Sequence, residues 1–349
     1  MSDFHSLSVS SVTHLTPNSV AISFAIPSDL KDRFSFDAGQ YITIKHYLNG
    51  GEVRRAYSIS SVPTAHDITI GIKKVEGGTF SVFANSGIKA GDVLEVSPPE
   101  GRFTFVPKNK AQHIAAFAAG SGITPIMSIA QTVLASHLNA TFVLVYGNQN
   151  KEEAMFLDTI KEMEEKYSGR FFVKHAYSRS RETDALFGRI DATAVNFILK
   201  NKFKDTSFDA FYLCGPEEMI HVVSDSLKAL TIAEENIHYE LFTASETVDT
   251  LAENLDGATQ VAITLEEDSY TLAMDKKTLI LDAVLKENID APYSCQGGVC
   301  STCIARVTEG KAEMIKNQIL TDSEIAEGLI LTCQAHPLTP TLKIDFDDV

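Results

Sequence analysis

The chain has 349 residues, a length that by the usual size of domains divides into two or three units, each with its own core. Hydrophobic residues make up 44% and charged residues 22%, as in ordinary soluble chains, and no apolar run approaches the ~20 residues of a membrane span. A net charge of −16 argues against a nucleic-acid partner, whose phosphates demand basic surface.

The start, Met1-Ser2-Asp3-Phe4-His5, is acidic and has no apolar run behind it, so no secretory signal is expected and the reading is cytoplasmic. That compartment keeps thiols reduced. Acid is concentrated late: residues 243–349 carry 7 Lys+Arg against 19 Asp+Glu, a surface that can steer a basic protein.

Residues 1–106 alternate apolar and polar positions in short runs between turn signals, and the reading is a small antiparallel β-barrel of about six strands. Ile42 to Lys45 and Asp67 to Lys73 are the clearest strands, and Asn49-Gly50-Gly51 is a hairpin turn. Within it Arg55-Ala56-Tyr57-Ser58 ends a strand, and Gly77-Gly78-Thr79-Phe80-Ser81 opens a helix. Arginine can neutralise a pyrophosphate, a tyrosine ring can cover a flavin, and free N–H groups at a helix start suit phosphate. Taken singly, either motif is more readily a surface arginine or a common glycine turn; together they make a site.

From 107 to 242 strands and helices alternate, which predicts an α/β doubly wound parallel sheet. Ile114–Ala118, Phe142–Tyr146, Phe171–Val173 and Phe211–Cys214 read as strands; Pro125–Leu134 and the acidic stretch Lys151–Tyr167 read as helices. Gly120-Ser121-Gly122-Ile123-Thr124-Pro125 follows the first strand where a dinucleotide turn belongs, although G-x-G-x-x-P departs from the usual fingerprint. Cys214-Gly215-Pro216 ends a later strand of the same sheet, so both should border one crevice. After the third strand comes Tyr177-Ser178-Arg179-Ser180-Arg181, a basic loop without an acid before Glu182. Forked arginine donors suit a 2′-phosphate, and a solvated basic loop is the plainer alternative.

Residues 243–257 read as a linker, and 258–349 as an α+β module. It contains Cys295-x4-Cys300-x2-Cys303 and, far downstream, Cys333. That spacing is the one found in plant-type [2Fe–2S] proteins. A four-cysteine zinc site and paired disulfides are the other readings; structural zinc more often takes two close pairs.

In this order the motifs resemble the ferredoxin–NADP reductase superfamily with a ferredoxin fused at the C-terminus, over nearly the whole chain. The resemblance implies an FAD-binding barrel at 1–106, an NAD(P)-binding domain at 107–242 and a β-grasp ferredoxin domain at 258–349. It implies that Arg55, Tyr57 and Ser58 hold FAD, with Gly78, Thr79 and Ser81 under its pyrophosphate. Gly120, Gly122, Thr124 and Gly215 would receive the nicotinamide cofactor; the basic loop's own residues, Ser178 and Arg179 with Arg181 near, are read as favouring NADPH over NADH. Ser58, Cys214 and Glu240 would stand at the reacting rings, with Phe242 beside the flavin, and Cys295, Cys300, Cys303 and Cys333 would bind iron. The activity implied is NAD(P)H-dependent reduction of a protein partner, a diiron oxygenase component of a multicomponent monooxygenase. A Rieske ring-hydroxylating dioxygenase is the alternative acceptor, and a non-enzymatic redox sensor the alternative class.

Overall fold

The computed structural model describes residues 4–242 and 249–349. The chain forms two compact units, the larger built from residues 5–53 and 57–242 and the smaller chiefly C-terminal.

The larger unit opens with β1 (His5–Thr16), β2 (Ser19–Ala25), β3 (Tyr41–Leu48), β4 (Gly51–Ser58, of which Arg54–Ala56 group with the smaller unit), β5 (Asp67–Lys73), helix α1 (Thr79–Ser86) and β6 (Val93–Val96). The strands lie in the order β4-β3-β6-β1-β2-β5, and an antiparallel bridge between Ile59, just past β4, and Ile70 of β5 joins the two edges. Closure removes exposed strand edges and makes the sheet the expected barrel. Asn49 and Gly50 form the tight turn between β3 and β4, both at positive φ (53° and 82°), as their types predict. Ile22, Ile42, Ile44, Ile70 and Phe80 fill the interior.

The rest of the unit comprises β7 (His113–Ala119), α2 (Ile123–Ser136), β8 (Thr141–Asn148), α3 (Leu157–Lys166), β9 (Phe171–Tyr177), β10 (Leu186–Phe187), α4 (Ala192–Asn196), β11 (Ala210–Cys214), α5 (Glu217–Ala229) and β12 (Ile237–Glu240). Its sheet is parallel, in the order β10-β9-β8-β7-β11-β12. The chain winds outward from β7 to β10, then restarts on the other side at β11. Neighbouring β7 and β11 stay paired as far as Ala118 and Cys214, and the connections that leave their C-terminal ends diverge, where such folds bind ligands.

One expected helix is shorter than its sequence promised. Residues 151–156 of the predicted Lys151–Tyr167 helix are turn, because Asn150 Oδ1 captures the Glu153 N–H and Phe156 sits at φ +57° with its ring buried. A helix cannot pass through a left-handed residue, so α3 starts at Leu157.

Of the expected linker, residues 243–248 lie outside the described residues, and Thr250–Asn254 forms a short helix, α6, capped by Asp249. The smaller unit continues with β13 (Ala258–Leu265), β14 (Asp268–Asp275), α7 (Ile280–Lys286), β15 (Ile304–Glu309), β16 (Ala312–Met314), α8 (Asp322–Ala326), β17 (Leu329–Leu331), β18 (Ala335–Pro337) and β19 (Thr341–Asp345). Five strands run β14-β13-β19-β15-β17, with β19 parallel to β13 and antiparallel to β15, while β16 and β18 pair apart. Helix α7 lays Ile280, Leu281 and Val284 on this sheet, the arrangement expected of a β-grasp module. The β13–β14 turn is unusual: Glu266 and Glu267 both have positive φ (53° and 66°), and their N–H groups donate to the two Asp347 carboxylate oxygens, each at 2.8 Å.

Candidate functional site

Strand β4 carries Arg55, Tyr57 and Ser58. Arg55 is exposed, Tyr57 packs on Phe80 with ring centroids 5.8 Å apart, and Ser58 is buried. Helix α1 begins at Thr79 behind Gly78, and no side chain caps its first N–H groups, which stay available to an anion. Ser81 Oγ accepts the Val75 N–H at 3.1 Å, so this hydroxyl also shapes the turn at the helix start.

The Ser58 hydroxyl donates to Glu240 Oε2 at 3.2 Å, across 182 residues. Glu240 is in register with Cys214 on the adjacent parallel strand, and its bond to Ser58 of β4 brings all three to one edge. Phe242 lies two residues beyond Glu240, packed partly buried against the core. Burial pushes the Glu240 carboxyl up to about 8 against the pull of Ser58. Burial, and then the charge of Glu240, pushes the Cys214 thiol up, so it stays protonated.

The turn between β7 and α2 is a single 3-10 turn over Gly120–Gly122, and α2 begins at Ile123, two residues before the expected Pro125. Proline is tolerated there because the first helical N–H groups lack partners anyway. Gly120 takes φ +56° with open space at its Cβ position. A Cβ on Gly122 would lie 2.1 Å from the Cys214 carbonyl oxygen, so the two glycines serve different needs, conformation and close approach. Tyr146 Oη donates to the Gly120 carbonyl at 3.2 Å, and Thr124 Oγ1 to that of Ser121 at 3.0 Å, which together hold the turn in shape. The loop after β9 is tied down by Ser178 N–H to Asn148 O (3.0 Å) and Arg179 N–H to Gln149 O (2.8 Å), leaving the Arg179 side chain exposed. Arg181 is stacked on Phe187, 4.1 Å from the ring centroid.

In the smaller unit Cys295 interacts with the thiols of Cys300 and Cys333, and Cys303 with that of Cys333. Hydrogen bonds from Cys300 and Cys333, then from the Gly297 and Val299 N–H groups, lower the Cys295 thiol. The Gly297 N–H lies 3.3 Å from its sulfur. Gln334 Nε2 donates to the Gln296 and Cys333 carbonyls (3.1 and 2.7 Å), tying the loop to the distant cysteine. The hydroxyl of Ser294, 1% exposed, has no partner among the described residues. Four converging thiols, backbone donors at sulfur and an orphaned hydroxyl beside Cys295 fit a [2Fe–2S] cluster. Among the described residues no set of three or more His, Cys, Asp or Glu is gathered for a single metal ion, so the assignment rests on these contacts and on the domain matched below.

Residues 6–105 match the oxidoreductase FAD-binding domain family, 117–225 the oxidoreductase NAD-binding domain family, and 263–338 the 2Fe-2S iron-sulfur cluster binding domain family. One component of the Escherichia coli 1,2-phenylacetyl-CoA epoxidase is 36% identical over 99% of both chains. The chain is a reductase of the ferredoxin–NADP reductase superfamily. This reductase is also 33% identical to the ferredoxin reductase component of 3-ketosteroid-9-alpha-monooxygenase from Rhodococcus rhodochrous, over 97% of its own length and 96% of the relative's. It shares the fold of phthalate dioxygenase reductase at a TM-score of 0.62, with 23% identity and 98% of each chain covered. The matched domains make it an NAD(P)H-dependent oxidoreductase that uses FAD and a [2Fe–2S] cluster. No helix among the described residues is long and apolar enough to cross a membrane.

Tyr146, Gln334 and Ser294 shape the reductase's sites but were not among the expected site residues. Each lies in a run that reads only as strand or loop; Tyr146 and Gln334 bond backbone carbonyls that sequence does not reveal, and Ser294 is marked only by its unpartnered buried hydroxyl.

The raised Glu240 carboxyl has a measurable consequence. An unfolded glutamate loses its proton near 4.5, whereas folded Glu240 keeps it to about 8. Between these values the folded reductase binds the extra proton, so its stability falls as pH rises and levels off above about 8. Glu240→Gln is expected to flatten this decline. Thermal unfolding followed across the window checks it, and parallel profiles for variant and wild type would exclude a protonated Glu240.

Proposed function

We propose that this reductase takes electrons from NADPH and delivers them singly to the oxygenase component of a multicomponent monooxygenase of the phenylacetyl-CoA epoxidase kind, in a reducing cytoplasm. The observation that carries this is the 36% identity, spread over 99% of both chains, to a component of that epoxidase. Bound FAD exchanges two-electron for one-electron chemistry, and the cluster stores one electron at a time.

The protein's part is placement. Arg55, Tyr57, Gly78, Thr79 and Ser81 would hold FAD, with Ser58 at the flavin edge. Gly120, Gly122, Thr124 and Gly215 would seat the nicotinamide cofactor over that edge. Glu240, neutral at pH 7, keeps the Ser58 hydroxyl oriented without adding a charge beside the flavin. Cys214, protonated and buried, offers a soft, uncharged wall at the nicotinamide. Cys295, Cys300, Cys303 and Cys333 would bind the two irons. Arg179 is the arginine assigned to the 2′-phosphate, since Arg181 is occupied by Phe187.

One set of measurements tests the reading. The purified protein is expected to hold about one FAD, two irons and two sulfides per chain, and to reduce its oxygenase faster with NADPH than with NADH. Arg179→Ala should raise the KM for NADPH and leave that for NADH nearly unchanged. Zinc in place of iron, or equal losses with both nucleotides, would refute the corresponding part. The 33% identity to the ferredoxin reductase component of a 3-ketosteroid-9-alpha-monooxygenase supports a second acceptor, an oxygenase of that kind. Turnover with one oxygenase and not the other separates the two.

A further inference from the structure

Helix α2 is buried and apolar along most of its length, with Ile126, Met127, Ile129, Ala130, Val133 and Leu134 in the core. Yet Thr124, Ser128 and Gln131 recur at helical spacing, which puts them on one face. That face meets the barrel. Ser128, 0% exposed, donates its hydroxyl to the Ser61 carbonyl at 2.7 Å. Gln131 Nε2 donates to the Ser60 carbonyl at 3.2 Å. A Cβ on Gly71 of β5 would lie 2.8 Å from Thr124 Cγ2, so backbone and helix touch directly there.

Ser60 and Ser61 closely follow Ser58, and α2 directly follows the glycine turn. The contacts close a ring: Ser58 to Glu240, Glu240 beside Cys214, the Cys214 carbonyl against Gly122, then along α2 and back through Ser128 to Ser61. A packed core alone needs no hydroxyl or amide at these helix positions, since burying a polar group costs free energy unless it is paired. We propose that Ser128, seconded by Gln131, is a positioning residue for hydride transfer: it fixes the strand end that carries Ser58 relative to the turn that begins its own helix. The inference rests on the placement of flavin at Ser58 and nicotinamide at Gly120 in the proposed function. What it positions is the move of one hydride, a proton with two electrons, from bound dihydronicotinamide to bound flavin.

Misplacing reacting groups by about 1 Å costs on the order of 10²-fold in rate. The strand end keeps other hydrogen bonds, Ser60 N–H to Thr69 O and Ile59 N–H to Gln40 O, so a smaller displacement follows its release. Ser128→Ala is expected to slow stopped-flow flavin reduction by about tenfold at saturating NADPH, since part of that 1 Å penalty applies. The dissociation constant of NADP+ and the FAD content should stay near wild type. The long-wavelength charge-transfer absorbance that reports ring stacking should weaken in parallel, and Ser128→Thr, which keeps the hydroxyl, should recover both. Gln131→Met removes the second donor at a half-buried position; it gives the same signature more weakly and carries the test if Ser128→Ala does not fold. An unchanged limiting rate with unchanged charge-transfer absorbance in both variants would overturn the proposal. A wild-type protein that binds FAD but is not reduced by nicotinamide cofactors would instead sink the underlying reading.

Discussion

A Cys333→Ser variant is expected to lose its [2Fe–2S] cluster and to keep NADPH-driven reduction of its flavin. Cys333 is buried at 3% exposure and interacts with both Cys295 and Cys303, so it would be one of the ligands holding the cluster. Serine is smaller and its oxygen is a poor ligand for the soft iron–sulfur core. Tyr57, Ser58 and the nucleotide residues after them are built from other elements, within the larger unit. Iron and sulfide analysis with the visible spectrum reads the first half of the prediction, and stopped-flow flavin reduction the second. Loss of flavin reduction while FAD stays bound would show that the cysteine module is needed for the first half-reaction.

Gly122→Ala is expected to slow nucleotide-driven reduction by on the order of 10²-fold while FAD remains bound. The added Cβ would meet the Cys214 oxygen at 2.1 Å, its carbon at 2.4 Å and the Gly215 nitrogen at 2.8 Å. All three are backbone atoms at the end of a central strand, so none can rotate away. Relief requires β7 and β11 to part or the turn to lift, and either moves the crevice by a sizeable fraction of an ångström. Overpacking of this kind costs ~1–3 kcal/mol of stability, and the displacement costs on the order of 10²-fold in hydride transfer. Gly120→Ala is the control, because its Cβ meets nothing within 4 Å and suffers only from φ +56°. Photoreduction, which bypasses the nucleotide, should proceed normally in both. Near-normal NADPH kinetics in Gly122→Ala would mean the crevice is not where the nicotinamide binds.

The cysteine set and the glycine turn were legible because their chemistry is local: a few residues at fixed spacing carry the whole requirement. The barrel's Asn49-Gly50 turn and the strands around Ile114 and Phe142 were legible for the same reason. The Ser58–Glu240 pair was reachable only through family resemblance, since 182 residues separate its members. The polar stripe on α2 was hidden by the apolar residues around it, which make the helix read as plain core. Asn150 and Phe156 broke an otherwise well-patterned helix by one side-chain bond and one left-handed residue. Neither leaves a periodicity signal.

The Glu266–Glu267 turn has its own consequence, for the order of folding. Hairpins usually close early because their contacts are local and their turns are predisposed. Two successive non-glycine residues at positive φ lack that predisposition, and their N–H groups are held by a carboxylate 80 and 81 residues away. The turn therefore gains these two bonds only once β19 has paired in parallel with β13 and carried Asp347 into place. A hairpin that looks local in sequence thus pays the loop-closure entropy of a long-range contact. It is expected to form late in this module's assembly, and removing the Asp347 carboxylate is then expected to hasten unfolding more than it slows folding, as stopped-flow unfolding and refolding would read.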